Sequence, residues 1–201
     1  MEDRRKQIID AGLALLREEG FSALTQPRVA ARTGLRQSHL TYYYPTRAAL
    51  LAAVARAAIE LQGAAAQALV ARVSSIEGAA DVIAEAAGRH ENTRVLVALN
   101  QAAEQEPEVR ALFNELSDNF FREIGALLDK LGLAQKPAHV DLLHALFVGL
   151  SVIDLATCRP DQRARSKATL DVAFEALGAQ SAPREKPLPA RKARKTKTSE
   201  A

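Results

Sequence analysis

The 201-residue sequence has a single cysteine, Cys158, which excludes a disulfide framework within the chain and any multi-cysteine zinc site. Such sparing use of cysteine fits a reducing, cytosolic compartment. In its apolar stretch, Cys158 reads as a small buried hydrophobe. Long apolar runs are missing too. The most apolar one, Ala145 to Ile153, is bounded by His144 and Asp154 and falls short of the roughly 18 residues of a membrane span. The chain opens Met-Glu-Asp-Arg-Arg-Lys-Gln, without the apolar region of an export signal. A soluble protein with no membrane partner is expected.

Strand patterning is equally scarce. No β-branched alternation stands between turn signals, and no internal repeat is present. What fills the chain is Ala, Leu, Glu and Arg, with apolar residues three and four positions apart and 48% hydrophobic residues in all. That is enough to bury a core. The expected fold is all-α, with about nine helices.

The helix boundaries follow from punctuation. A first helix from about Asp3 to Glu19 has Ile8, Ile9, Gly12, Leu13, Leu15 and Leu16 on a broad apolar face. Gly20 stops it, and Phe21 is placed for the apolar contact that follows a glycine cap. Thr25 caps a short second helix that tolerates Pro27 in its first turn and ends before Gly34. A third runs from near Arg36 to Pro45, which cannot continue a helix. Thr46 caps a long fourth. Breaks at Ser74-Ser75, Gly88 to Asn92, Pro107, Gly132 to Pro137 and Arg159-Pro160 then separate about five more.

Formal charge is unevenly spread. Residues 1–50 hold 8 basic and 5 acidic groups (+3), residues 51–180 hold 12 and 17 (−5), and residues 181–201 hold 7 and 2 (+5). The last segment has three prolines and one large apolar residue, Leu188, and cannot repay the entropy of folding. It is expected to be a basic disordered tail.

Residues 25–44 read as helix, glycine turn, helix, the geometry that braces one helix and lays the next in the DNA major groove. At 100° per residue, Leu40 and Tyr44 share the inner face of the third helix, while Ser38 and Tyr42 lie about 200° from Leu40. Around that outer face stand Arg36, Gln37, Ser38, His39 and Tyr42, all able to hydrogen-bond base edges or phosphates. Between Thr25 and Leu69 the only acidic residue is Glu60, and a surface facing phosphates gains from that absence.

Residues 4–55 resemble the DNA-binding region of TetR-family transcriptional regulators. The stretches that carry the likeness are Ile-Ile-Asp-Ala-Gly-Leu-Ala-Leu-Leu-Arg-Glu-Glu-Gly-Phe, Leu-Thr-Gln-Pro-Arg-Val-Ala-Ala-Arg-Thr-Gly-Leu and Leu-Thr-Tyr-Tyr-Tyr-Pro-Thr-Arg-Ala-Ala-Leu-Leu. Their composite spacing is more specific than any one of them. The resemblance implies that Gln26, Arg28, Tyr43 and Arg47 hold phosphates. Gln37, Ser38, His39 and Tyr42 would read bases, and Arg36 would take a guanine or a phosphate. Departures from the family pattern at Arg36, Ser38, His39 and Thr41 bear on which operator is read.

The resemblance further implies a helix-turn-helix domain over residues 1–46 and an effector-binding and dimerisation domain over 47–180. Helices near 137–158 and 161–178 would pair two subunits through a four-helix interface. It also implies a palindromic double-stranded DNA site, a small-molecule effector, repression as the outcome, and work in the cytoplasm on nucleoid DNA. The apolar segment from His144 to Ala156, with Gly149 and Ser151 small enough for close approach, fits a helix covered on more than one side. Polar or aromatic groups set in apolar helices are the candidate pocket residues: Asn100, Phe113, Phe120, Phe121 and His144. Glu104, Glu106 and Glu108 read as a solvated junction.

Catalysis is not expected. His144 and Ser151 lie about 10 Å apart along a helix axis, against the ~3 Å that proton transfer needs. Gly149-Leu-Ser-Val-Ile lacks the second glycine and the strand of a nucleophile elbow. His90-Glu91 has Arg94 where a zinc-protease motif needs its second histidine. No cofactor or metal is called for. The competing reading is an architectural helical protein whose basic ends bind DNA nonspecifically.

Overall fold

The structure, a computed structural model, describes residues 2–181. The expected basic tail, apart from Ser181, lies outside the described residues. Nine α-helices and no strand occur among the described residues: α1 (Glu2–Glu19), α2 (Gln26–Thr33), α3 (Gln37–Tyr43), α4 (Arg47–Arg72), α5 (Ile76–Ala87), α6 (His90–Gln105), α7 (Pro107–Lys130), α8 (Pro137–Thr157) and α9 (Gln162–Ser181). The punctuation residues stand where the sequence puts them. Gly34 adopts the left-handed conformation (φ 69°), and the N–H groups of Gly34 and Leu35 bond to Ala31 O and Ala30 O. This satisfies carbonyls that the end of α2 would otherwise leave open. Thr46 Oγ1 accepts from Ala49 N at 3.0 Å and fixes the start of α4. Thr25 occupies its cap position without a side-chain bond.

Two apolar centres are strung along α4 and α7. The first joins Ile8, Leu16, Leu24, Val29 and Leu40 from the N-terminal helices to Leu50, Val54 and Ala58 of α4, Val95 and Leu99 of α6, and Leu112 and Leu116 of α7. The second gathers Ile83, Leu127, Leu128, Leu143, Leu170, Phe174 and Leu177. At its far end, α4 is held by Lys130 Nζ of α7, which donates to Val70 O and Ala71 O at 3.0 and 3.3 Å. The boundary expected after Thr46 is therefore a joint in the chain across which the packing continues.

One contact in the first centre is unusually close. A Cβ built on Gly12 of α1 would lie 2.5 Å from Val54 Cγ2, so the absence of a side chain at Gly12 is what lets α1 and α4 approach.

By length and mean hydropathy, α4 and α8 could each cross a membrane. The composition of α4 is explained by the core it enters, since Leu50, Leu51, Val54, Ala55, Ala58 and Ile59 are all buried. Much less of α8 is covered: Leu142, Val148, Val152 and Ile153 are exposed, and so is Val172 of α9. Cys158 corrects its expectation. It is not inside the apolar helix but caps it, exposed and with positive φ (47°).

Candidate nucleic-acid interface and effector cavity

Helix α3 is anchored from within. Leu40 is completely buried and Tyr44 nearly so, and burying a side chain such as Leu40 contributes about 1.5–3 kcal/mol. Burial raises the pKa of the Tyr44 phenol, against the opposing charge of Arg5. The anchor turns the opposite face outward, where Arg36, Gln37, Ser38, His39 and Tyr42 are all exposed. Tyr42, at 76% exposure, is the most exposed large hydrophobic residue among those described. Its ring stands edge-on to Tyr43 at 5.3 Å, and Tyr43 itself packs on the first apolar centre. The solvent-facing ring is thereby held by one that is fixed.

The flanking residues already have partners. Gln26 Nε2 donates to Tyr44 O at 2.8 Å, tying the start of α2 to the end of α3. Both carboxylate oxygens of Glu19 accept from Arg28 at 2.6 Å. One turn on, Arg32 pairs with Glu18, and this hydrogen bond lowers the carboxyl pKa of Glu18. The guanidinium of Arg47 lies 5.1 Å from the centre of the Phe21 ring, an arrangement in which the ring face attracts the cation. All nine residues expected at the DNA thus belong to α2, to α3 and its N-cap Arg36, and to the first position of α4, Arg47. Those of the α3 outer face are open, while Gln26 and Arg28 are engaged with neighbouring groups.

Between α4, α5, α6, α7 and α8 lies a cavity of about 180 Å³. Of the five residues expected there, Phe120 and His144 line it. Phe121 meets the His144 ring edge-on at 4.8 Å without lining the cavity. Phe113 packs on the first apolar centre, and Asn100 is exposed on α6. Burial lowers the His144 pKa, opposed by Asp141. Gln62, Asn92, Thr93, Glu123 and Phe147 are on the wall without having been expected. Gln62, a polar residue in an alanine-rich run, met the rule that selected Asn100; its amide donates to Asn92 O at 3.3 Å. Glu123, in a helix dotted with charges, gave no such signal. The glutamate cluster at 104, 106 and 108 is absent from the wall.

The side chains considered for catalysis take separate partners. Ser151 donates to Phe147 O at 2.7 Å, Asp154 pairs with His90 Nε2 at 3.1 Å, and His144 faces the cavity. Among the described residues, no three His, Cys, Asp or Glu side chains are grouped to hold a metal ion.

Residues 8–54 match the model for bacterial regulatory proteins of the tetR family, and residues 70–179 match that for the tetracyclin repressor-like C-terminal domain. No curated protein gives a significant match. Similar solved structures include a candidate transcriptional regulator from Saccharomonospora viridis in complex with choline, 16% identical, TM-score 0.74, covering 87% of this chain and 97% of its own. A TetR transcription regulator from Haloarcula marismortui is 17% identical, with TM-score 0.70 and coverage of 88% and 99%. The multidrug binding protein EbrR complexed with proflavin is 23% identical, with TM-score 0.62 and coverage of 85% and 99%. At these identities the likeness is one of fold.

Proposed function

The chain belongs to the tetR family of bacterial regulatory proteins and is a DNA-binding transcriptional regulator; we propose that it is a ligand-responsive repressor that binds a palindromic operator as a homodimer. The observation that carries this reading is the outward face of α3, where Arg36, Gln37, Ser38, His39 and Tyr42 stand exposed over a buried Leu40. Gln37, Ser38, His39 and Tyr42 read base edges, Arg36 takes a guanine or a phosphate, and Tyr43, Arg47, Gln26 and Arg28 position the protein on the phosphates. To reach a phosphate, Arg28 exchanges or shares its Glu19 partner.

Dimerisation is supported by the exposed apolar face of α8 and by Val172 on α9, which a second copy would cover through a two-fold axis. Two recognition helices then meet half-sites one helical turn apart, about 34–36 Å. The cavity supports effector control, and choline and proflavin occupy two of the similar structures. Gln62, Leu69 and Arg72 of α4 border the cavity, while Leu50, Val54 and Ile59 of the same helix lie in the core shared with α1 to α3. A ligand that prefers one tilt of α4 changes the spacing of the two α3 helices and weakens DNA binding, by a coupling of about 1–3 kcal/mol. The protein acts in the cytoplasm on nucleoid DNA.

Selection of random duplex DNA by the purified full-length protein tests this reading. Enrichment of a palindrome with half-sites one turn apart is expected. Recovery of unselected DNA at every salt concentration would overturn it in favour of nonspecific architectural binding.

A further inference from the structure

Three charged groups line the cavity beyond its histidine: Arg72, Arg89 and Glu123. The two arginines are already balanced. Both reach Glu85, at 3.1 and 2.9 Å, and their hydrogen bonds hold its carboxyl pKa at about 2. Glu123 differs. It is partly buried on α7, and its side chain makes no ion pair or hydrogen bond with any described residue. The same cavity is lined by Phe120, one turn earlier on the same helix, and by Phe147 and His144 from α8. Burial favours the uncharged form of His144, so it supplies no standing counter-charge. The remaining wall is largely Ala, Leu and Ile.

A cavity lined by an unpaired carboxylate and aromatic rings attracts a positive charge in two ways, by direct Coulomb attraction and through the negative faces of the rings. An anionic ligand would have to take an arginine from Glu85 and accept Glu123 nearby. The volume of about 180 Å³ is below the roughly 300–1,000 Å³ of sites for drug-sized ligands. We propose that this cavity binds a small organic cation, an amine or quaternary ammonium compound, with Glu123 as its counter-ion and Phe120 and Phe147 as its aromatic walls. The inference rests on the reading of the cavity as the effector site.

Three probes of closely similar shape separate charge from size: choline, the neutral 3,3-dimethylbutan-1-ol and the anionic 3,3-dimethylbutanoate, each titrated calorimetrically into the full-length protein. Choline is expected to bind about tenfold or more tightly than the alcohol. Glu123→Gln should remove that preference, and Glu123→Asp should retain part of it. Phe147→Leu, which keeps an apolar wall without a ring, should weaken choline more than the alcohol and serves if the glutamine variant fails to fold. Equal binding of choline and the alcohol, tighter binding of the carboxylate, choline binding indifferent to Glu123→Gln, or no binding of choline and benzyltrimethylammonium overturns the proposal. DNA selection on the same preparation separates the two readings. A palindrome recovered by protein that ignores cations overturns the ligand class alone, whereas unselected DNA overturns the palindrome-binding repressor on which it rests.

Discussion

Gly12 of α1 faces Val54 of α4, with the valine methyl 2.5 Å from the place a Cβ on the glycine would occupy. Val54 is completely buried, so it has little room to yield. Gly12→Ala is expected to destabilise the protein by about 1–3 kcal/mol through overpacking, although alanine by itself favours a helix over glycine. Denaturant unfolding measures the loss. Val54→Ala placed in the same chain should recover part of it, and a double variant no more stable than the sum of the single changes predicts would show that the two side chains do not collide.

Tyr42 projects from the reading face while its neighbour Tyr43 is fixed in the core packing. Tyr42→Ala and Gln37→Ala should each weaken binding to the selected operator by about 1–3 kcal/mol and leave binding to random DNA nearly unchanged. Parallel losses on both DNAs would assign these residues to the backbone.

The Arg28–Glu19 pair predicts a gain of affinity. Glu19→Gln removes the carboxylate that holds Arg28, leaving the guanidinium available to a phosphate. Nonspecific DNA binding should tighten, and the logarithmic salt dependence should steepen by about one unit. An unchanged slope in a salt titration would mean that Arg28 does not meet DNA.

The uncovered face of α8 predicts the assembly state. Ile153→Asp puts a charge at an exposed apolar position that would be buried between subunits, where an unpaired charge is costly. The variant should sediment as a monomer, keep its helical content and lose palindrome binding far more than half-site binding. A dimer that survives this change uses another surface.

Glu85 sets an acid dependence. Its carboxyl pKa is lowered from an ordinary 4.5 to about 2 by Arg72 and then Arg89. A carboxyl whose pKa falls on folding contributes stability that is fully present above its ordinary value and is lost as pH drops toward the folded one. Thermal midpoints of wild type should therefore fall more steeply than those of Glu85→Gln as pH drops from about 4.5 to about 2. The group is exposed, so screening keeps the difference small. Superimposable profiles would show that the three side chains do not pair in solution.

The reading head was legible because its signals are local. Gly34 takes the positive φ that its place demands, Pro45 and Thr46 mark the joint, and a 100° step per residue separates buried Leu40 from exposed Tyr42. Long-range pairings left no such trace. Nothing near Arg28 announces Glu19, and nothing near Gln26 announces the carbonyl of Tyr44. The cavity was read partly, through Phe120 and His144, because a polar or aromatic residue in a helix says that it is unusual but not which neighbour it faces. Asn100 met the rule and faces solvent. In α8, apolar residues on nearly every side predict coverage, and one chain alone does not supply it.

The reading head has no hydrophobic centre of its own. Ile8, Val29 and Leu40 share theirs with Leu50 and Val54 of α4, Leu99 of α6 and Leu116 of α7. Transplantation is thereby constrained. A chimera cut at Thr46 would separate the grafted head from the α4, α6 and α7 residues that complete its apolar centre. Resurfacing α3, residue by residue, is therefore expected to disturb the fold less than exchanging the whole head at Thr46.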